Sequence, residues 1–128
     1  MSGQAPNVTQ FMLSKKALLA LLDIRDCILL AREFTADLSY EAFKDSRLHF
    51  FAVTRALEIV SEASRRLPDS FREKHSALPW RAIRDAGNMY RHAYDNVVEA
   101  IVWKTLQEDL APLLAVVVAE IDAHEAGQ

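Results

Sequence analysis

Residues 50–67 read FFAVTRALEIVSEASRRL, and apolar side chains recur in this stretch at intervals of three and four. The recurring positions are Phe50, Val53, Leu57, Val60, Ala63 and Leu67. Because an α-helix turns once every 3.6 residues, this spacing gathers them on one face of a helix. Pro68 follows directly and ends the helix. We therefore predict a long second helix from about Tyr40 to Leu67, with a break near Lys44–Ser46.

A first helix is predicted before it, from Phe11 to Phe34. Its apolar face comprises Leu18, Leu21, Leu22, Cys27, Ile28 and Leu29. The connection 35–39 then offers Asp37 or Ser39 as a cap for the next helix, since both side chains accept hydrogen bonds from backbone N–H groups.

Two more helices are predicted after Pro68, with a short helix or turn over Asp69–His75 before them. Pro79 suits the first turn of a helix that runs from Trp80 to about His92 or Tyr94. The last helix spans about Val97–Ala123, and Pro112 would kink it or mark a short first segment. Its inward positions are Ile101, Leu106, Leu110, Leu113, Leu114, Val117 and Ile121.

The composition favours an all-helical domain. Of 128 residues, 51% are hydrophobic and 26% charged, and only three glycines and four prolines interrupt the chain, too few for a turn-rich all-β fold. We predict an all-α fold, a four- to five-helix up-and-down bundle. The single domain would occupy 11–124, between a flexible N-terminus at 1–10 and a tail at 125–128. The net charge of −3 excludes a polycationic nucleic-acid coat, so any RNA contact requires a local basic face.

Several features indicate a cytoplasmic protein. The single cysteine, Cys27, forms no intrachain disulfide and is interpreted as a small core residue. Met1–Gln10 lacks the pattern of a signal peptide, and the apolar run Leu110–Ile121 is shorter than the ~20 residues of a membrane span. The first and last helices are very apolar, which favours a homodimer in which a second copy covers an apolar stripe.

Residues 79–95 read PWRAIRDAGNMYRHAYD, and their cations are all arginines. On a helix, one polar face of roughly 120° would carry Arg81, Arg84, Asp85, Asn88, Arg91 and His92. The arginine fork matches phosphate, and imidazole titrates near neutral pH. Such a face suits an acid or base acting on a ribose 2′-hydroxyl or a leaving 5′-oxygen, with arginine holding the charge that develops on phosphate. A plain solvated face is the alternative.

This chemistry needs no metal. The sequence contains no HxxxH, CxxC or carboxylate cluster at ligand spacing, so we predict neither a metal nor a cofactor.

A family resemblance extends over nearly the whole chain. The matching segments, in order, are Leu22–Ile24, Leu38–Phe43, Ala56–Ala63, Arg66–Pro68, Leu78–Arg81, Ile101–Trp103 and Glu108–Leu113. With this order and spacing, the chain resembles the HepT-like branch of the HEPN superfamily. These proteins are the helical toxin partners of minimal nucleotidyltransferase antitoxins.

The resemblance implies a metal-independent endoribonuclease whose site lies in a cleft between two protomers. The family motif has an Arg, an Asn directly after it, a His separated from that Arg by four residues, and a Tyr two further on; in the active members the Arg and His carry the cleavage. By position, the Asn is Asn88, the His is His92 and the Tyr is Tyr94. Arg and His would cleave RNA, and the partner nucleotidyltransferase would transfer AMP to Tyr94. The motif arginine's position is occupied by Gly87.

The substitution at Gly87 leaves two interpretations open. Arg84 or Arg91, one turn to either side, would act as the phosphate clamp, with Gly87 leaving room for a guanidinium to swing across. Alternatively, the protein is a catalytically silent HEPN domain that binds a nucleotidyltransferase or a nucleotide. A dimeric helical scaffold is a third possibility. RNA binding is assigned to Arg81, Arg84 and Arg91 in the first case.

The remaining candidate side chains are given structural roles. Tyr94 is equally compatible with a buried aromatic, and Trp80 and Trp103 are core anchors. His49 and His75 are interpreted as surface histidines without partners, and His124 lies in the tail. Glu58 and Glu62 would form surface ion pairs with neighbouring arginines (Arg55, Arg65 and Arg66). Ser61 and Ser64 have no His or Asp at the spacing of a hydrolase triad.

Overall fold

A computed structural model describes residues 13–88 and 96–128, and every regular element in these residues is helical. The helices are α1 (Lys15–Thr35), α2 (Tyr40–Lys44), α3 (Arg47–Arg65), α4 (Asp69–Lys74), α5 (Trp80–Ala86), α6 (Asn96–Lys104) and α7 (Leu110–Ala126). A π-helical turn, Thr105–Asp109, joins α6 to α7. The predicted all-α fold is confirmed.

Serine side chains start three of the helices. The hydroxyls of Ser14, Ser39 and Ser46 accept hydrogen bonds from the backbone N–H groups of Ala17, Ala42 and His49, at 3.0, 3.1 and 3.2 Å. Each bond satisfies a donor that has no partner within the first helical turn. Ser39 is thus the cap chosen between the two predicted candidates. Ser46 lies in the predicted break and starts α3 there.

The core lies between α1, α3 and α7. Helix α1 packs along α3 and α7, and α5 packs against α3. Small residues of α1, Ala17, Ala20 and Ala31, are almost fully buried together with Leu21, Ile24 and Ile28. The α3 face predicted from the sequence is buried as a whole, from Phe50 to Leu67. Within the described residues, no helix is long and apolar enough to cross a membrane.

Two positions predicted to face the core are exposed instead. Leu29 is 47% exposed and Ile101 is 39% exposed. Both lie in runs of consecutive apolar residues. A helix formed by such a run has apolar side chains on more than one face, so the sequence does not determine which face is buried. In α1, alanines and Ile28 fill the interface where a close approach of helices is required.

The predicted last helix is interrupted three residues before Pro112. There the backbone N–H of Leu110 bonds to the carbonyl of Thr105, five residues earlier. Proline has no N–H and its ring collides with the carbonyl four residues earlier in an α-helix. The wider π turn therefore lies where Pro112 would interrupt the hydrogen bonds of a continuous α-helix.

The third predicted helix ends at Ala86, earlier than the predicted end at His92 or Tyr94. Gly87 and Asn88 form a turn, with bonds from their N–H groups to the carbonyls three residues earlier, at 3.3 and 3.1 Å. The Arg84 carbonyl, which Asn88 would use in a continuing α-helix, already accepts the hydroxyl of Ser61 at 3.1 Å. That side-chain bond and the low helix propensity of glycine explain the early end.

Candidate functional site

A cavity of about 480 Å³ opens between the C-terminal end of α3, the short helix α4 and helix α5. Its lining residues are Ser61, Ser64, Arg65, Arg72, Trp80, Arg81 and Arg84. Four guanidinium groups from three helices therefore surround one space. Arg81 and Arg84 were predicted as phosphate-binding residues from their own segment. Arg65 and Arg72 lie up to 19 residues earlier in the chain.

Arg72 is the rigid member of the four. Its Nη1 atom donates to the carbonyl oxygens of Ser64 and Leu67, each at 2.8 Å. Its Nη2 atom donates to Asp69 at 2.5 Å. The carbonyls at the end of α3 have no partner within the helix, so this guanidinium closes the α3 terminus and fixes α4 against it.

The other three guanidiniums are less constrained. Arg84 lies 3.5 Å from the carboxylate of its neighbour Asp85, and both side chains are more than half exposed. Within the described ranges, Arg65 and Arg81 have no carboxylate within ion-pair distance. The cavity thus carries an excess of positive charge, although the whole chain is net acidic.

Trp80 forms an aromatic wall of the cavity. Its indole Nε1 donates to the carbonyl of His75 at 3.0 Å, and its ring meets Phe71 edge to face at 6.4 Å. These two contacts hold the indole in place, which fits the predicted anchoring role. The same contacts fix the start of α5, on which Arg81 and Arg84 lie.

Gly87 packs directly against Ser61 of α3. A Cβ atom added at Gly87 would lie 2.5 Å from the Ser61 Cβ and 2.7 Å from its Oγ. The predicted space for a swinging guanidinium beside Gly87 is therefore occupied by Ser61. No pattern in the sequence predicts this contact for Ser61, which joins α3 to the end of α5.

The predicted catalytic constellation is described in part. Arg84 lines the cavity, and Asn88 is exposed in the turn that follows α5, beyond Gly87. Arg91, His92 and Tyr94 lie outside the described residues. Among residues 13–88 and 96–128, no three His, Cys, Asp or Glu side chains are grouped in a way that could hold a metal ion.

A second polar cluster lies where α4 meets α7, and no pattern in the sequence predicts it. The His75 Nε2 atom lies 2.6 Å from a carboxylate oxygen of Glu120, and Lys74 Nζ lies 2.9 Å from the same oxygen. Burial alone would raise the pKa of Glu120, but hydrogen bonds from Lys74 and His75 outweigh it and hold that pKa below its ordinary value. His75, predicted to lack a partner, is paired and largely buried.

Other side chains have the structural roles that their contacts define. His49 is also paired, with its Nδ1 2.6 Å from the hydroxyl of Ser46. Glu58 forms the predicted surface pair with Arg55. Arg66 instead reaches across to Asp23 of α1, at 2.9 Å.

Cys27 lies at the edge of the core and is partly exposed. Burial, followed by the nearby carboxylates of Asp23 and Asp26, raises the pKa of its thiol. The core position predicted for it is therefore correct in part, since Cys27 is partly buried and packs against the core, and the thiol is disfavoured as a nucleophile.

Comparison with known proteins gives one family match. The family model "Ribonuclease HepT-like" matches residues 24–120, which include the cavity and the turn at Gly87. The chain is 40% identical over 91 residues to "Probable ribonuclease HepT" of Thermococcus cleftensis, covering 71% of this chain and 83% of that protein. It is 38% identical over 78 residues to "Putative RNase MJ1380" of Methanocaldococcus jannaschii, covering 61% and 72%. No solved structure gives a significant match.

Proposed function

This chain belongs to the HepT-like ribonuclease family, and on that premise we propose that it is the toxin of a cytoplasmic toxin–antitoxin pair. In this proposal it is a metal-independent endoribonuclease, and a cognate nucleotidyltransferase neutralises it. The observation that carries the proposal is the cavity in which Arg81 and Arg84 meet Arg65 and Arg72, just ahead of Asn88 in the chain.

The proposed reaction uses the substrate's own ribose 2′-hydroxyl. His92 takes the proton of that hydroxyl, and the 2′-oxygen attacks the adjacent phosphorus. The bond from phosphorus to the 5′-oxygen breaks, and the leaving oxygen takes up a proton. The products are a 2′,3′-cyclic phosphate end and a 5′-hydroxyl end. Arg84 or Arg91 stabilises the charge on the pentacovalent phosphate, and Asn88 positions the substrate.

The position of Arg84 at the cavity wall supports its proposed role in stabilising the charge on the phosphate. Its backbone is held by Ser61, and among the described residues its guanidinium pairs only with the adjacent Asp85, with a separation of 3.5 Å in an exposed setting. An exposed pair of this kind contributes little, so the guanidinium is free to exchange Asp85 for a phosphate. Arg81 would contribute to RNA binding from the preceding turn.

Cleavage of single-stranded RNA in the presence of EDTA tests the proposal. We expect His92→Ala to abolish cleavage, and either Arg84→Ala or Arg91→Ala to lower the rate by about a hundredfold or more. Arg66→Ala is the matched control, because Arg66 pairs with Asp23 of α1 and is not among the residues that line the cavity. Equal rates for the wild type, Arg84→Ala and Arg91→Ala would contradict the relocated-arginine mechanism.

The packing of Gly87 favours a second candidate function. Because Ser61 fills the space beside Gly87, this chain has no room for the motif arginine in its present arrangement. The protein would then be a catalytically silent domain that binds a nucleotidyltransferase or a nucleotide. Gly87→Arg in a Ser61→Gly background supplies both the arginine and the space. Cleavage by this double variant, with none by the wild type, would favour the silent domain.

The antitoxin proposal concerns Tyr94. Co-expression with a nucleotidyltransferase encoded beside this gene should add the mass of AMP to the wild type and leave Tyr94→Phe unmodified. Complex formation without RNA cleavage by the free protein would support the binding module. Absence of both complex and cleavage would leave only a helical scaffold.

A homodimer is proposed from exposed apolar side chains. The exposed large residues are Leu19, Leu29, Leu30 and Phe34 on α1, Leu48 and Phe51 on α3, and Ile101 on α6. An apolar surface of this kind marks an interaction site. The described part of the chain places these residues mainly on α1 and α3, rather than on α1 and the last helix as expected. Light scattering should give the dimer mass for the wild type and the monomer mass for Leu30→Glu, with Arg55→Glu as the charge control.

A further inference from the structure

We propose that the arginine-lined cavity binds the terminal phosphomonoester of a nucleotide, presented by the end of an RNA strand or by a free mononucleotide. The inference deepens the proposed function and rests on it in one respect, that the phosphate belongs to a nucleotide. It concerns binding alone and requires no cleavage. The charge, geometry and size of the cavity each support this assignment.

The charge of the cavity matches a dianion. Four guanidiniums line it, and carboxylates in the described residues pair with two of them, Asp69 with Arg72 and Asp85 with Arg84. This leaves two positive charges, those of Arg65 and Arg81, without a partner in the described ranges. A phosphomonoester carries a charge of about −1.5 to −2 at neutral pH, whereas a backbone phosphodiester carries only −1. The cavity therefore neutralises a terminal phosphate better than an internal one.

The arginines of the cavity differ in whether their guanidinium groups are already bound within the fold or available to a ligand. Arg72 is engaged by two backbone carbonyls and Asp69, so it shapes the cavity rather than moving to a ligand. Arg65 ends α3 and Arg81 lies in the first turn of α5, so the two available forks approach from different helices. Two forks from different helices suit a phosphate with three terminal oxygens.

The hydroxyls of the two cavity serines are not available to bind the phosphate. Ser61 donates to the carbonyl of Arg84, and Ser64 donates to the carbonyl of Val60 at 2.8 Å. Their protons are used within the fold, so recognition of the anion depends on the arginines. Substitution of Arg65 or Arg81 should therefore remove most of the binding.

The size of the cavity and Trp80 indicate more than inorganic phosphate. A volume of about 480 Å³ falls within the range of small-molecule sites, roughly 300–1,000 Å³. Trp80 supplies an aromatic wall held by its hydrogen bond to His75 and its contact with Phe71. Stacking of a base on an aromatic side chain is a sequence-tolerant source of affinity. A base and sugar attached to the phosphate would occupy this side of the cavity.

Titration calorimetry on the full chain tests the proposal with non-cleavable probes. The probes are a short 2′-O-methyl oligoribonucleotide with a 5′-phosphate, a 3′-phosphate or only hydroxyl ends, together with AMP, adenosine and inorganic phosphate. We expect at least one phosphorylated nucleotide probe to bind about tenfold or more tightly than its unphosphorylated counterpart. We expect Arg65→Gln and Arg81→Gln to lose this preference, and the control Arg66→Gln to keep it.

The probes also identify the source of the phosphate. Preference for a phosphorylated oligonucleotide over AMP assigns the site to an RNA end, and the reverse assigns it to a free nucleotide. Equal binding of the phosphorylated and hydroxyl-ended probes overturns the proposal, as does an unchanged preference in Arg65→Gln and Arg81→Gln. Inorganic phosphate binding as tightly as AMP overturns the nucleotide assignment. Because the oligonucleotide probes lack a free 2′-hydroxyl and the other probes contain no internucleotide bond, none of them can be cleaved, and failure of RNA cleavage leaves the result on binding intact.

Discussion

Replacing Gly87 by alanine should destabilise the protein, although glycine-to-alanine changes in helical backbone commonly stabilise. Gly87 has φ of −66°, which alanine adopts without strain. The obstacle is contact, because the new Cβ would lie 2.5 Å from the Ser61 Cβ and 2.7 Å from the Ser61 Oγ. The Ser61 Cβ is attached directly to the α3 backbone, so rotation of the side chain cannot remove the clash. Helix α3 and the end of α5 must move apart.

The net cost follows from three contributions. Overpacking of this kind costs about 1–3 kcal/mol, and displacement of Ser61 from the Arg84 carbonyl adds about 1 kcal/mol. The reduced freedom of the unfolded chain returns about 0.4–1 kcal/mol. We therefore expect a loss of about 1–3 kcal/mol in the free energy of unfolding. For a chain of 128 residues this lowers Tm by about 4–11 °C.

Urea denaturation followed by circular dichroism measures this loss, and Ser61 supplies the control. In a Ser61→Gly background both close atoms are absent, so Gly87→Ala should cost nothing or stabilise. In a Ser61→Ala background the nearer atom remains, so most of the cost should persist. A Gly87→Ala variant as stable as the wild type would refute the contact, and equal costs in the two backgrounds would refute its assignment to the Ser61 Cβ.

Three further predictions concern stability and reactivity. Arg72→Met should lower the free energy of unfolding in urea by about 1–3 kcal/mol, because the Leu67 carbonyl loses its Arg72 donor and the Ser64 carbonyl keeps only backbone N–H donors, among them that of Leu67. Asp69→Asn, at an exposed partner, should change it by less than about 0.5 kcal/mol. Because the pKa of Glu120 is held below its ordinary 4.5, its stabilising contribution is complete above about pH 4.5 and is lost as the pH falls through the lowered value. Urea denaturation across this range should therefore show a steeper acid loss for the wild type than for Glu120→Gln, and parallel curves would contradict the lowered pKa. Because its pKa is raised, Cys27 should react with iodoacetamide at pH 7.5 more slowly than free cysteine in a mass-spectrometric time course, and an equal or faster rate would contradict the burial argument.

The sequence was most informative where a local signal has a local cause. Ser39 was foreseen as a cap because a hydroxyl two or three residues before a backbone N–H reaches it without help from the rest of the fold. The buried face of α3 was foreseen because one set of apolar positions recurs at intervals of three and four along the whole stretch. The prediction of which side chains face the core was wrong at Leu29 and Ile101. There the apolar residues are consecutive, and only packing against the neighbouring helices determines which face is buried.

The candidate site was only half visible in the sequence. Arg81 and Arg84 stand in a segment with an unusual composition, but Arg65 and Arg72 resemble ordinary residues of exposed helices. Nothing local indicates that Glu120 meets His75, 45 residues earlier, or that Ser61 meets Gly87. These pairs depend on how separate helices pack, and no periodicity in one helix encodes that arrangement.

The sequence by itself determined the helices, most of their ends and the HepT-like family, because propensity, capping and apolar spacing act within a few residues. Its resemblance to that family also predicts that Gly87 stands at the position of the motif arginine. Only the tertiary structure decided what that glycine does: it permits α3 and α5 to approach until Ser61 bonds the Arg84 carbonyl. The same approach brings four arginines from three helices around one cavity, since long-range packing alone sets the distances between helices.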